Sequence, residues 1–479
     1  MNVSFLQEMM NTLAEQSRAL LPKSLFGADD KDSIEMLARA LMSGRGEASG
    51  VAIARQLLNR LKCAGADERR RFFAYLAEEL QPDPEQVRDA AEDYIAHPEE
   101  RTLKVLQEAT ESPRREFFRR LNLAPGATAE IVAMRHDLLR LPKSEPGISA
   151  IDADLEHLLQ TWFNRGFLVL RRIDWQTPAA ILEKIIAYEA VHEIKGWDDL
   201  RRRLDPTDRR CFAFFHPSLV DEPLIFVEVA LASEVPDAIE PLLEARRGSA
   251  DPAPTTAVFY SISNCQEGLK GISFGNFLLK QVVEELVREL PSLKTFVTLS
   301  PVPHFARWLD RAIASGDATV VTPQEREILG VLRDPRWVEV ARDLGPQAAP
   351  LKTTLLQLAT HYFLLAKSSD LRPVDPVARF HLGNGARLER INWLADTSEK
   401  GLREAHGLMV NYRYEPAEIE KNHEAYAADG TVAAARSIRS LLKAPVKQKA
   451  LAPPAGEAIP AIGNSLTASA RKGKDLLRR

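Results

Sequence analysis

Apolar positions in the first third of the chain recur every three or four residues, the spacing of one face of a helix. Ile34, Leu37, Ala38 and Leu41 form one stripe; Val51, Ala54, Leu57, Leu58 and Leu61 form a second; Phe72, Leu76 and Leu80 a third. Pro82-Asp-Pro, His97-Pro-Glu and Pro125-Gly interrupt the run as loops or helix starts. Few β-branched clusters occur before Trp162, so this part predicts a helical bundle or layer. After Trp162 the pattern changes. Phe167-Leu-Val-Leu-Arg-Arg-Ile, Cys211-Phe-Ala-Phe-Phe, Leu224-Ile-Phe-Val-Glu-Val-Ala-Leu and Thr256-Ala-Val-Phe-Tyr-Ser-Ile-Ser are runs of strand type. A helix opens at Pro178, proline being favoured in a first helical turn. A glycine-bearing loop then leads into an amphipathic helix from about Asn276 to Leu290, with Phe277, Val282, Val283, Leu286 and Leu290 as its stripe. Thr295 to Ser300 returns as a strand, closed by Pro301-Val-Pro. From about Glu325 to Ala366 the reading is helical again, and the Pro, Ala, Gly, Ser and Lys mixture from Ala444 onward predicts a mobile tail.

The expectation is an α+β chain: a helical domain over 1–163, a mixed-sheet domain over 164–455 and a flexible tail over 456–479. The 479 residues exceed one ordinary core, in line with two domains. A net charge of −4 gives no general argument for nucleic acid or membrane surfaces. No apolar run approaches the roughly 20 residues that span a bilayer. Cys63, Cys211 and Cys265 have no metal or redox spacing and suit a reducing compartment. The start lacks a secretory pattern and the end, Leu-Leu-Arg-Arg, lacks a peroxisomal address, so a cytoplasmic location is expected.

Two stretches carry candidate chemistry. Tyr260 to Asn276 runs from a strand through Gly268, Gly271 and Gly275 into a helix. A glycine-bearing loop of that kind lets the backbone approach a phosphate while helix-start amides donate to it. Phe380-His-Leu-Gly-Asn-Gly places His381 beside a turn-rich Gly383-Asn-Gly385, where an imidazole can be held at a cleft. His381 competes with nine other histidines, of which His216, His304 and His361 lie nearest to candidate motifs. Ser300 ends a strand, where sheets of this type place ligands. Cys265 has no local histidine or basic partner and is not expected to be a catalytic thiol. The Arg201-Arg-Arg and Arg209-Arg210 runs read as solvated faces.

Several motifs, in order, resemble the malonyl-CoA decarboxylase family. They are Tyr260-Ser-Ile-Ser, Gly268-Leu-Lys-Gly, Leu299-Ser-Pro-Val-Pro-His-Phe-Ala-Arg-Trp-Leu, Pro376-Val-Ala-Arg-Phe-His-Leu-Gly-Asn-Gly-Ala and Gly407-Leu-Met-Val-Asn-Tyr-Arg-Tyr. The resemblance runs from about Trp162 to Leu442 and is weaker in the helical part. It implies a GNAT-like catalytic domain and a helical domain used in self-association, as a homo-oligomer (dimer or tetramer). It implies Ser300 and His381 as the catalytic pair, with Tyr414 as a further site residue. The acyl-CoA loop falls on Lys270, Gly271, Ile272, Ser273, Phe274, Gly275 and Asn276. Position 273 is a serine where animal members carry an acidic residue. The implied substrate is malonyl-CoA, converted to acetyl-CoA and carbon dioxide with no metal or organic cofactor. A GNAT-type N-acyltransferase and a CoA-binding regulatory module are the alternatives; for the arginine runs, a contact to the 3′-phosphate of the adenosine is the alternative to a solvated face.

Overall fold

Strands β2 (Arg209–Phe215) and β3 (Pro223–Ala232) read as nearly unbroken apolar runs because helices cover both of their faces. In the computed structural model, which describes residues 33–43, 46–244, 254–272 and 278–442, they lie inside an eight-stranded mixed sheet. β1 (Val169–Ile173), β2, β3 and β4 (Thr256–Asn264) pair antiparallel in sequence order. A 3₁₀ turn (Glu267–Leu269) and a helix (Leu278–Glu289) then cross to β5 (Thr295–Thr298), which lies parallel to β4. β5 and the short β6 (Ser300–Pro301) both pair with β8 (Met409–Arg413), and β7 (Arg387–Asn392) pairs with β8 as well. This is the α+β order expected: an antiparallel set, then strand, loop, helix and parallel strand.

Period-two alternation sorts the sheet's apolar side chains between two layers. Phe212, Phe214, Val227, Val229 and Phe259 face the core shared with the Leu278–Glu289 helix and the N-terminal helices. Cys211, Ala213, Phe215 and Phe226 face the helices Ala179–Tyr188 and Trp197–Leu204. Before β1 the described chain is helical, ending in Ala127–Leu139 and Ile148–Trp162, and its apolar stripes join the first of these cores.

Two features of the sheet create space. β4 and β5 stay paired only from Thr256 to Phe259, with a last bond from the Leu299 N–H to the Phe259 carbonyl at 3.0 Å. Beyond it β4 continues along β3 while β6 follows β8, so the parallel strands part. A register shift between Glu228 and Val229, opposite Tyr260, bends β4 at the same point. The tail lies outside the described residues.

Candidate functional site

The gap where β4 and β6 part is a cavity of about 250 Å³, lined by Tyr260, Ile262 and Asn264 on one side and Ser300 and Pro301 on the other. Val377, Phe380 and His381 of the helix Pro376–Gly383 cover it. That helix starts where Asp375 caps it, the carboxylate accepting the Ala378 N–H at 2.8 Å and the Tyr362 hydroxyl at 3.0 Å, with Pro376 in the first turn. It ends at Asn384, and Gly385 reverses the chain with φ of 80°; a Cβ there would lie 2.2 Å from the Ile419 carbonyl oxygen. The Gly-Asn-Gly motif is therefore a helix end packed on the start of the Ile419–Asp429 helix. His381 sits one turn earlier, within the helix itself, and lines the cavity while only 3% exposed.

His381 is bonded through both ring nitrogens. Nε2 lies 3.0 Å from Ser300 Oγ, and Nδ1 lies 2.8 Å from the Tyr414 hydroxyl. Ser300 Oγ donates to Thr298 Oγ1 at 2.9 Å, which also accepts the Tyr412 N–H at 3.0 Å. The Tyr412 ring stacks on the imidazole with centroids 4.5 Å apart. Burial pushes the Tyr414 phenol well above its ordinary pKa, so it keeps its proton. With the Ser300 hydroxyl proton given to Thr298 Oγ1, Ser300 Oγ accepts from Nε2–H, and Nδ1 accepts from the Tyr414 hydroxyl. Burial also lowers His381 from 6.5 to about 3, so the ring is neutral at neutral pH. Desolvation is the cause, and among the described residues no carboxylate bonds the ring to offset it.

Asn264 and Phe380 line this cavity and also a wider outer pocket of about 490 Å³. The outer pocket carries Lys270, Gly271 and Ile272 of the predicted loop, with Arg372, Arg379 and His423 across from them in the lining. Ser273, Phe274, Gly275 and Asn276 lie outside the described residues. The structure thus brings the predicted Ser300, His381 and Tyr414 into one hydrogen-bonded chain, and Lys270 to Ile272 into the adjoining pocket.

Rival residues sit elsewhere. His216 packs on Phe163 and accepts the Ser218 N–H through Nδ1, while His361 lies beside Trp308; neither lines the inner cavity. Burial raises the Cys265 thiol pKa, the opposite of what a nucleophile needs. The arginine runs are not wholly solvated: Arg203 is buried against Glu228 at 3.0 Å, and buried Arg209 donates to Asp208 and to the Leu242 carbonyl. Sequence reasoning missed Thr298, although it stands two residues before Ser300, the spacing of one strand face. Asn411, which donates to the Thr298 carbonyl at 2.8 Å, was missed too; nothing local marks it.

The family model for the malonyl-CoA decarboxylase C-terminal domain matches residues 166–452, and that for the N-terminal domain matches 80–163. The chain belongs to the malonyl-CoA decarboxylase family. It is 35% identical over 352 residues to the mitochondrial malonyl-CoA decarboxylase of Anser anser anser, covering 69% of this chain and 70% of that one. Among solved structures it is similar to malonyl-CoA decarboxylase from Rhodopseudomonas palustris, at 53% identity and TM-score 0.81 over 85% of this chain and 99% of that one. The Agrobacterium vitis malonyl-CoA decarboxylase is similar at 52% identity and TM-score 0.79, over 86% of this chain and all (100%) of that one. Membership makes the chain a carboxy-lyase of the malonyl-CoA type, the activity that the motifs around Ser300 and His381 implied.

Proposed function

We propose that malonyl-CoA lies with its phosphates in the outer pocket and its malonyl group between Ser300 and His381, and leaves as acetyl-CoA and carbon dioxide. The carrying observation is the Tyr414–His381–Ser300 chain opening on a cavity that adjoins a pocket with Lys270, Arg372 and Arg379 in its wall. The cations and the backbone at Gly271 suit the pyrophosphate and 3′-phosphate.

Breaking the bond between the carboxylate carbon and the methylene leaves its electron pair in an enolate whose charge rests mainly on the thioester oxygen. Backbone N–H groups between Ser263 and Gly271 are the donors we assign to that oxygen. Ser300 turns its hydroxyl toward the departing carboxylate. The substrate carboxylate, brought close to His381, favours the charged ring and raises its pKa, so binding draws in the proton that the reaction consumes. As neutral carbon dioxide forms, that support is withdrawn and His381 becomes a stronger acid just when the methylene carbon needs a proton.

Purified protein incubated with malonyl-CoA should form acetyl-CoA at a rate independent of added amines. Acyl transfer that requires an amine would favour an N-acyltransferase, and binding without turnover would favour a regulatory role. Self-association through the helical layer is supported by the hairpin Pro84–Ala96 and Glu100–Thr110, whose helices bury only Ala90 and Thr102 while Ile95, Leu103 and Val105 stay exposed. Sedimentation equilibrium should give a dimer or larger, and Ile95→Glu with Leu103→Glu should shift it toward monomer; a monomeric parent would refute this. A cytoplasmic setting is supported by three free cysteines, and cell fractionation tests it. Among the described residues no helix is long and apolar enough to cross a membrane.

A further inference from the structure

We propose that Arg135, on the Ala127–Leu139 helix, is a positioning residue that sets coenzyme A affinity by fixing the orientation of the Lys270–Gly271 peptide. The inference rests on the outer pocket being the coenzyme A site. Arg135 is buried; its Nε donates to Asp152 Oδ1 at 2.8 Å, and its Nη1 donates to the carbonyls of Gly268 at 2.8 Å and Lys270 at 2.9 Å. Helix and loop are in direct contact. A Cβ on Gly268 would fall 2.0 Å from the Val132 carbonyl oxygen, so only glycine allows the approach. His136 Nε2 and Glu267 Oε2, 2.8 Å apart, tie the two at the surface.

Residues Leu269 to Ile272 form a β-turn closed by the Ile272 N–H on the Leu269 carbonyl at 3.0 Å. Lys270 has φ of −57° and ψ of 129°, and Gly271 has φ of 85°, which is a type II turn with glycine where a positive φ is required. Type I and type II turns differ by a flip of the central peptide, here Lys270–Gly271. A trans peptide is planar, so its carbonyl and its N–H point in opposite directions. With the Lys270 carbonyl held by Arg135, the Gly271 N–H turns away from the helical layer, and Gly271 lines the outer pocket. The flipped peptide would present a carbonyl oxygen there instead, which repels a phosphate. A residue of the helical layer therefore decides whether the loop offers a donor or an acceptor to the ligand.

The test uses full-length Arg135→Met, with coenzyme A affinity measured by calorimetry and malonyl-CoA turnover by steady-state kinetics. Losing the charge-assisted pair of bonds should raise Kd and KM about tenfold or more, a larger effect than on kcat, because Ser300, His381 and Tyr414 are not touched. Arg114→Met is the control: Arg114 is equally buried in the helical layer but bonds Asp154 and the Leu76 carbonyl, away from the loop. It should lower Tm comparably and leave Kd unchanged. Gly271→Ala, which disfavours the positive φ, should imitate Arg135→Met, and the double variant should bind no worse than the weaker single. Should Arg135→Met fail to fold, Arg135→Lys, which keeps the charge without the fork, carries the same expectation of weakened binding. Parent-like coenzyme A affinity in a folded Arg135 variant, or equal weakening by Arg114→Met, overturns the assignment. A parent that binds no coenzyme A would instead remove the acyl-CoA reading beneath it.

Discussion

His381→Ala is expected to fold, to bind coenzyme A as the parent does, and to lose on the order of 10²–10⁴-fold in kcat, the usual contribution of a general acid or base. The ring meets the cavity, and its partners Ser300 and Tyr414 hold it from both sides. Its pH signature is equally specific. In the free enzyme burial holds the ring's pKa at about 3, and in the proposed mechanism the reactive form is the protonated one. The protonated fraction of free enzyme therefore falls about tenfold for each pH unit above that value, and kcat/KM should fall with it across the neutral range. The substrate carboxylate raises the pKa in the complex, so kcat should stay level to a higher pH than kcat/KM. Tyr414→Phe removes the donor to Nδ1 and should cost about tenfold in kcat, the worth of one such bond. Turnover of His381→Ala within a few-fold of the parent would take the ring out of the reaction. A pH-independent kcat/KM would show that the proton is not drawn in by binding.

Why the chemistry was only partly legible follows from where each side chain finds its partners. The element order could be read because β2 and β3 are covered on both faces and so carry nearly unbroken apolar runs, while the Leu278–Glu289 helix shows a clear stripe. The local signals for the helix bearing His381 were also present, in the capping Asp375 and Pro376. Gly383-Asn-Gly385 drew the reading toward a turn because a glycine pair says where a chain bends, not whether a helix precedes the bend. What no local pattern holds is the network. Ser300 and His381 are 81 residues apart and His381 and Tyr414 33, so they meet only through the pairing of β6 with β8 and the packing of one helix over both. The same holds for Arg203, whose partner Glu228 lies 25 residues on, and for Arg135, 133 residues before Gly268. A charged run looks solvated in sequence because its buried members are distinguished only by distant carboxylates and carbonyls. The pairing of Ser300 with His381 was legible through the family resemblance alone.

The second large effect expected is for Ser300→Ala, which should lower kcat by about 10²–10³-fold, comparable with removal of one preorganised donor at a reacting oxygen, while coenzyme A affinity stays near the parent's. Ser300 lies in the inner cavity and not in the lining of the outer pocket, so its hydroxyl can act on the malonyl carboxylate without holding the nucleotide. The hydroxyl also sits between His381 Nε2 and Thr298 Oγ1, and its loss leaves both without this partner in a buried space. That predicts a modest stability cost, about 1–3 kcal/mol for a buried polar group left unpaired. It further predicts that serine and histidine act as one unit. The double variant Ser300→Ala, His381→Ala should be little slower than His381→Ala alone, because groups that work together lose their effect together. Losses that simply multiply would mean that the 3.0 Å contact is structural and that the two side chains serve separate steps. A defect in Ser300→Ala confined to coenzyme A binding would move the malonyl group out of this cavity.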